Sequence, residues 1–174
     1  MMNLLMHDNA IALWRQTIQE AEQHCAIHLQ QELETYLVSL LYQYTDKSEI
    51  VKQTLAVTLL EAKNTQNDLA LQQTGDQCLL FAGLFPKLAE KKLVKMSYFV
   101  HLGQFAYIEL FEHLNDHLFY RLAHQFVTLM DVLQSIRAYP DLLPLEAYEQ
   151  WAEVGSKRAF NILQFYTKGR ALPK

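Results

Sequence analysis

Apolar residues recur along this chain at intervals of three and four, and almost nowhere at intervals of two. Ile11, Trp14, Ile18, Ala21 and Cys25 form a narrow stripe behind a possible Asp8 or Asn9 cap. Leu33, Tyr36, Leu37, Leu40, Leu41 and Tyr44 form a stronger one. Whether the chain breaks between these two stripes, near Ile27 to Leu29, is open, since no glycine or proline stands there. A third helix is expected from Asp46 or Ser48 through Ile50, Val51, Leu55, Leu59 and Ala62, ending at the polar stretch Asn64 to Asp68. Further on, Leu118, Leu122, Phe126, Leu129, Leu133 and Ile136 predict one long helix from Asn115 or Asp116 to Arg137. Tyr139 to Pro144 is a two-proline loop. A short helix with Leu145, Tyr148 and Trp151 follows, and Gly155-Ser156 marks a break. A last helix presents Phe160, Leu163 and Tyr166 and ends at Gly169. With no strand pattern, the expected fold is all-α, one domain over residues 1–174, a bundle of about six to eight helices.

The segment Thr74 to Tyr107 departs from this amphipathic pattern and sets the expected centre. Cys78 to Phe85 has no polar residue on any side, so a helix there must be surrounded by other elements. Pro86 stops it, and Lys87 to Lys95 follows as a basic connector. Ser97 is a candidate cap for a helix through Phe111, with His101, Gln104, Glu109 and Glu112 on one wet edge. Gly75, Cys78 and Ala82 share a face, as do Gly103 and Ala106. A mid-helix glycine costs up to about 1 kcal/mol, so close approach of these two helices is the expected return.

Composition narrows the function classes. The net charge of −4 argues against a nucleic-acid partner, and the apolar run is too short to span a membrane. Cys25 and Cys78 form no framework, and the first residues hold no signal-like segment; a cytoplasmic protein is expected. No phosphate loop, nucleophile elbow or HExxH motif is present, and no cofactor is implied.

Two constellations carry candidate chemistry. Asp76 is a poor mid-helix residue flanked by apolar positions; if it faces the core it needs partners. Tyr98 and Tyr107 could supply phenolic donors, with Gln72 one turn away. The group reads as a structural polar network, with a ligand-binding or acid–base pocket as the sharper alternative. His24/His28 and His113/His117 share i, i+4 spacing and could together hold a metal, although no Glu-x-x-His pattern accompanies them.

The strings ELETYLVSLLYQY from Glu32, GDQCLLFAGLFP from Gly75, SYFVHLGQFAY from Ser97 and FVTLMDVLQSIR from Phe126 resemble a family of uncharacterised bacterial proteins. The likeness covers Leu29 to Ala159, including WAEVGS from Trp151. It implies a cytosolic bacterial protein with Thr74 to Tyr107 as its signature, and no activity or catalytic residue comes with it. The leading expectation is a non-enzymatic helical protein that works through protein–protein contacts, as a homodimer or a small regulatory partner.

Overall fold

The computed structural model describes residues 2–45, 67–84, 95–136 and 142–170. The helix expected from Asp46 or Ser48, the Pro86 stop, most of the basic connector and the Tyr139-Pro140 turn lie outside them. Among the described residues the fold is all-α, with no strand and eight helices packed as one bundle. These are α1 (Met2–Cys25), α2 (Gln31–Thr45), α3 (Asp68–Leu84), α4 (Met96–Leu114), α5 (His117–His124), α6 (Phe126–Gln134), α7 (Pro144–Val154) and α8 (Lys157–Arg170). No described helix is long and apolar enough to cross a membrane.

Helix α3 is enclosed as its run of apolar residues requires, with every residue from Cys78 to Gly83 buried. It packs most extensively against α4 and next against α6. The small residues make this possible. A Cβ added at Gly103 would fall 2.4 Å from the Phe126 ring and 2.9 Å from the Cys78 Cβ. Tyr107 and Phe126, both fully buried, fill the space the glycines open.

The helix ends depart from the sequence reading in instructive ways. Helix α1 starts at Met2, ahead of Asp8 and Asn9, because the intervening residues include no breaker. It ends at Cys25, and Ala26 adopts the left-handed conformation at φ 54°. The Ile27 N–H donates to the Glu22 carbonyl at 3.0 Å and the Ala26 N–H to the Gln23 carbonyl at 3.3 Å, a Schellman closure built without glycine. The buried Glu22 carboxylate then accepts the Leu29 N–H at 2.6 Å. The single long helix expected from Asp116 is instead α5 and α6, divided at Gln125. The Gln104 side chain, reaching from α4, donates to the Ala123 carbonyl at 3.3 Å, so a foreign donor enters the ladder beside the break. Asp116 does cap α5, accepting the Leu118 N–H at 3.0 Å. Helix α4 begins at Met96, with Lys95 rather than Ser97 in the cap position and no side-chain cap bond. Helix α8 runs to Arg170, one residue past Gly169.

Most apolar side chains form one cluster spanning α1 to α6. Leu142, Ala147 and Ala159 form a second, smaller one under α7 and α8, with Ile162 and Leu163 packed on it. Of the last two helices, Val154 of α7 packs against the main cluster, and polar contacts add to that attachment.

Candidate functional site

Asp76 lies on the enclosed helix α3 and is 5% exposed. Its Oδ1 accepts two hydrogen bonds, from the Tyr36 hydroxyl at 2.6 Å and the Tyr107 hydroxyl at 2.7 Å. Gln72 Nε2 donates to the Tyr36 oxygen at 3.2 Å. Three helices thus meet on one carboxylate oxygen: α2 through Tyr36, α3 through Asp76 itself, α4 through Tyr107. The two phenol rings stand edge to face with centroids 6.5 Å apart.

Burial pushes the Asp76 carboxyl up from 3.8 to about 6, against the pull of the two phenols. Desolvation and the same carboxylate drive the Tyr107 and Tyr36 hydroxyls well above the ordinary phenol range. Tyr44 is pushed up to about 12, by burial first and by Asp76 second. The phenols stay protonated at any physiological pH and act as donors. A Cβ on Gly75 would fall 2.6 Å from the Tyr107 ring, so α3 and α4 are in contact at this level.

Of the three residues marked in the sequence, Asp76 and Tyr107 come together and Tyr98 does not join them. Tyr98 is 42% exposed, with its ring against Phe99 at 5.7 Å between centroids. The second phenol comes from Tyr36, which the sequence pattern presents only as one member of an apolar stripe. It sits 40 residues before Asp76, and nothing local announces the meeting.

The histidine pairs are each divided by a helix end. His24 is in the last turn of α1, while His28 lies beyond it. His113 closes α4, where its Nδ1 is 2.9 Å from Asp68 Oδ1, and His117 opens α5 with its ring 5.4 Å from that of Phe111. The i, i+4 spacing therefore does not place either pair on one helix face. Among the described residues, no three His, Cys, Asp or Glu side chains converge on a common point. Burial raises both thiols, Cys78 to about 12, which makes them poor nucleophiles.

A second buried cluster escaped the sequence reading. Asp131 of α6 is 1% exposed. Its Oδ1 accepts the Ser156 hydroxyl at 2.5 Å and its Oδ2 the Arg158 backbone N–H at 3.2 Å. Ser156 Oγ in turn accepts the Ala159 N–H at 3.0 Å, capping α8. Arg158, also buried, donates from Nη1 to Gln134 Oε1 at 3.0 Å, and Gln134 Nε2 donates to the Ala82 carbonyl at 2.9 Å. Burial raises the Asp131 carboxyl, while the Ser156 hydroxyl, the N–H groups of α8 and the Arg158 charge pull it back. This network fastens α8 to α6 and, through Gln134, to α3. The same rule that marked Asp76, an aspartate among apolar helix neighbours, marks Asp131 within FVTLMDVLQ.

The outer face of α7 and α8 is the opposite kind of surface. Tyr148, Trp151 and Phe160 are 51%, 40% and 36% exposed. Their rings touch in series, with centroids 6.1 Å apart for Tyr148–Trp151 and 5.3 Å for Trp151–Phe160. Leu145, one turn before Tyr148, is 68% exposed.

Compared with known protein families, curated proteins and solved structures, the chain matches none of them.

Proposed function

We propose that this protein works by contact with another polypeptide, not by chemistry, and that the outer face of α7 and α8 makes the contact. One observation carries the reading. Tyr148, Trp151 and Phe160 hold one another in a continuous aromatic ridge while remaining open to water. Large, rigid, amphipathic rings are the side chains that dominate protein interfaces, and a contiguous exposed patch of them is often a functional contact. The Asp76 group supports the same view from the other side. Its carboxylate oxygen is already taken by two phenols, and tight packing at Gly75 leaves α3 and α4 in contact there. A buried network of this kind, with two phenols on one carboxylate oxygen, fixes how helices dock. The resemblance to uncharacterised bacterial proteins adds no activity to weigh against this.

A photo-crosslinking side chain placed at Tyr148 tests the proposal in cells that express the full chain. The same side chain at exposed Gln73 of α3 is the control. The expected result is an adduct to an identified polypeptide from position 148 and none from position 73. No polypeptide adduct from position 148 would overturn the reading.

A further inference from the structure

We propose that the polypeptide covering the α7–α8 face is a second copy of this chain, related by a two-fold axis that lays α7 of each protomer on α8 of the other. The inference rests on the reading above, that this face is a protein contact, and names its occupant. Area is the first argument. With aromatic side chains of about 150–250 Å², the exposed fractions of Leu145, Tyr148, Trp151 and Phe160 leave roughly 400 Å² of apolar surface. A stable interface takes about 800 Å² from each partner, so the ridge supplies roughly half of it as an apolar centre and the surrounding polar rim supplies the rest.

Charge supplies the second argument and chooses the register. The α7 sequence PLEAYEQWAEV holds three glutamates and no base, and KRAFNILQFYTKGR of α8 holds four bases and no acid. Inside the protomer some of these are spent. Glu153 pairs with Lys95 at 3.2 Å, Glu146 accepts the Leu143 N–H at 2.8 Å, and Arg158 is buried against Gln134. Among the residues whose side chains are described, Glu149 and Lys157 are left, both exposed and neither in an ion pair there. A two-fold arrangement with α7 on α7 would set acid against acid. Laying α7 on α8 sets acid against base, and the symmetry makes the match twice. Two helix pairs stacked in this way form a four-helix layer with the aromatic ridges at its centre.

Sedimentation velocity of the full chain across a concentration series is the test, with wild type, Trp151→Ser, Glu149→Lys, Lys157→Glu and the double reversal compared. The wild type is expected to dimerise, and Trp151→Ser to weaken the dissociation constant by about 30-fold or more, as loss of an interface anchor does. Each single reversal is expected to weaken it by about three- to tenfold, and the double reversal to recover most of that loss. Thermal melts check that all variants fold. A wild type that stays monomeric at on the order of 100 µM would overturn the proposal. So would a dimer indifferent to all four variants. If the monomer's position 148 crosslinks a different polypeptide, self-association falls and the protein-contact reading stands. A monomer with no adduct removes both.

Discussion

Among the described residues two aspartates are buried, and they are held in different ways. Asp76, in the main core, has only neutral donors: two phenols from helices far apart in sequence. Asp131 sits against the start of α8, where a hydroxyl, a backbone N–H and the Arg158 charge all favour its ionised form. The first network draws α2, α3 and α4 together inside a core that is already large. The second fastens a helix pair whose own apolar cluster is small. A buried carboxylate is costly in either place, and it persists where it specifies a docking geometry that apolar packing alone leaves loose. In the core it adds specificity; at α8 it supplies much of the attachment.

Removing each carboxylate should separate these roles. Asp131→Ala strips the acceptor from the Ser156 hydroxyl and from the Arg158 backbone N–H. The expected loss is about 3 kcal/mol or more, since two hydrogen bonds to a charged acceptor go at about 1.5–3 kcal/mol each. The damage should be local. Amide hydrogen exchange should accelerate across α7 and α8 while the protection of α3 and α4 changes little. Uniform loss of protection throughout the bundle would mean that the two networks are not distinct in the way described.

The core aspartate should show itself through pH. Its carboxyl lies near 6 in the folded protein against 3.8 as a reference, so the folded state binds the proton more tightly. Stability from this group is then fully present below about pH 4 and is lost as pH rises through about 6. The swing is about 3 kcal/mol at 1.36 kcal/mol per unit. Asp76→Asn keeps an oxygen that can accept both phenols and removes the titration. Relative to wild type it should gain ground by about 2–3 kcal/mol between pH 4 and pH 7, measured by urea unfolding at each pH. A difference between the two proteins that stays flat across that range would show that Asp76 does not pay for its burial.

How much of this was legible follows from the range of the forces involved. Helix periodicity is local, and the all-α bundle could be read from it. Enclosure of Cys78 to Gly83 could be read too, because a run with no polar side has only one stable environment. Asp76 stood out against its own neighbours. Its partner Tyr36 did not, since a tyrosine in an apolar stripe looks the same whether or not its hydroxyl finds a carboxylate on another helix. Tyr98 looked equivalent to Tyr107 in sequence, and only the docking of α4 separates a buried ring from an exposed one. Asp131 was legible by the rule that found Asp76, as an aspartate among the apolar residues of FVTLMDVLQ. The breaks at Ala26 and Gln125 had no sequence mark: one passes through a left-handed alanine, and the other has the Gln104 amide on the Ala123 carbonyl beside it.

The smallest expected effect concerns the glycines beside the two networks. Gly103, next to the core cluster, is surrounded: a Cβ there would strike Phe126 at 2.4 Å. Gly155, just before the Ser156 cap, has nothing within 4 Å of such a Cβ, and its φ is +72°. Space is therefore free at Gly155 and only the backbone objects. The left-handed conformation costs a non-glycine residue about 1–2 kcal/mol, while loss of glycine's extra freedom in the unfolded chain returns about half of that or more. Gly155→Ala should destabilise by about 1 kcal/mol or less, measured by urea unfolding, with the α7–α8 exchange rates rising only slightly. A loss of several kcal/mol would mean that the turn at Gly155, rather than the Asp131 network behind it, holds the helix pair in place, and would reverse the order of importance argued for that end of the molecule.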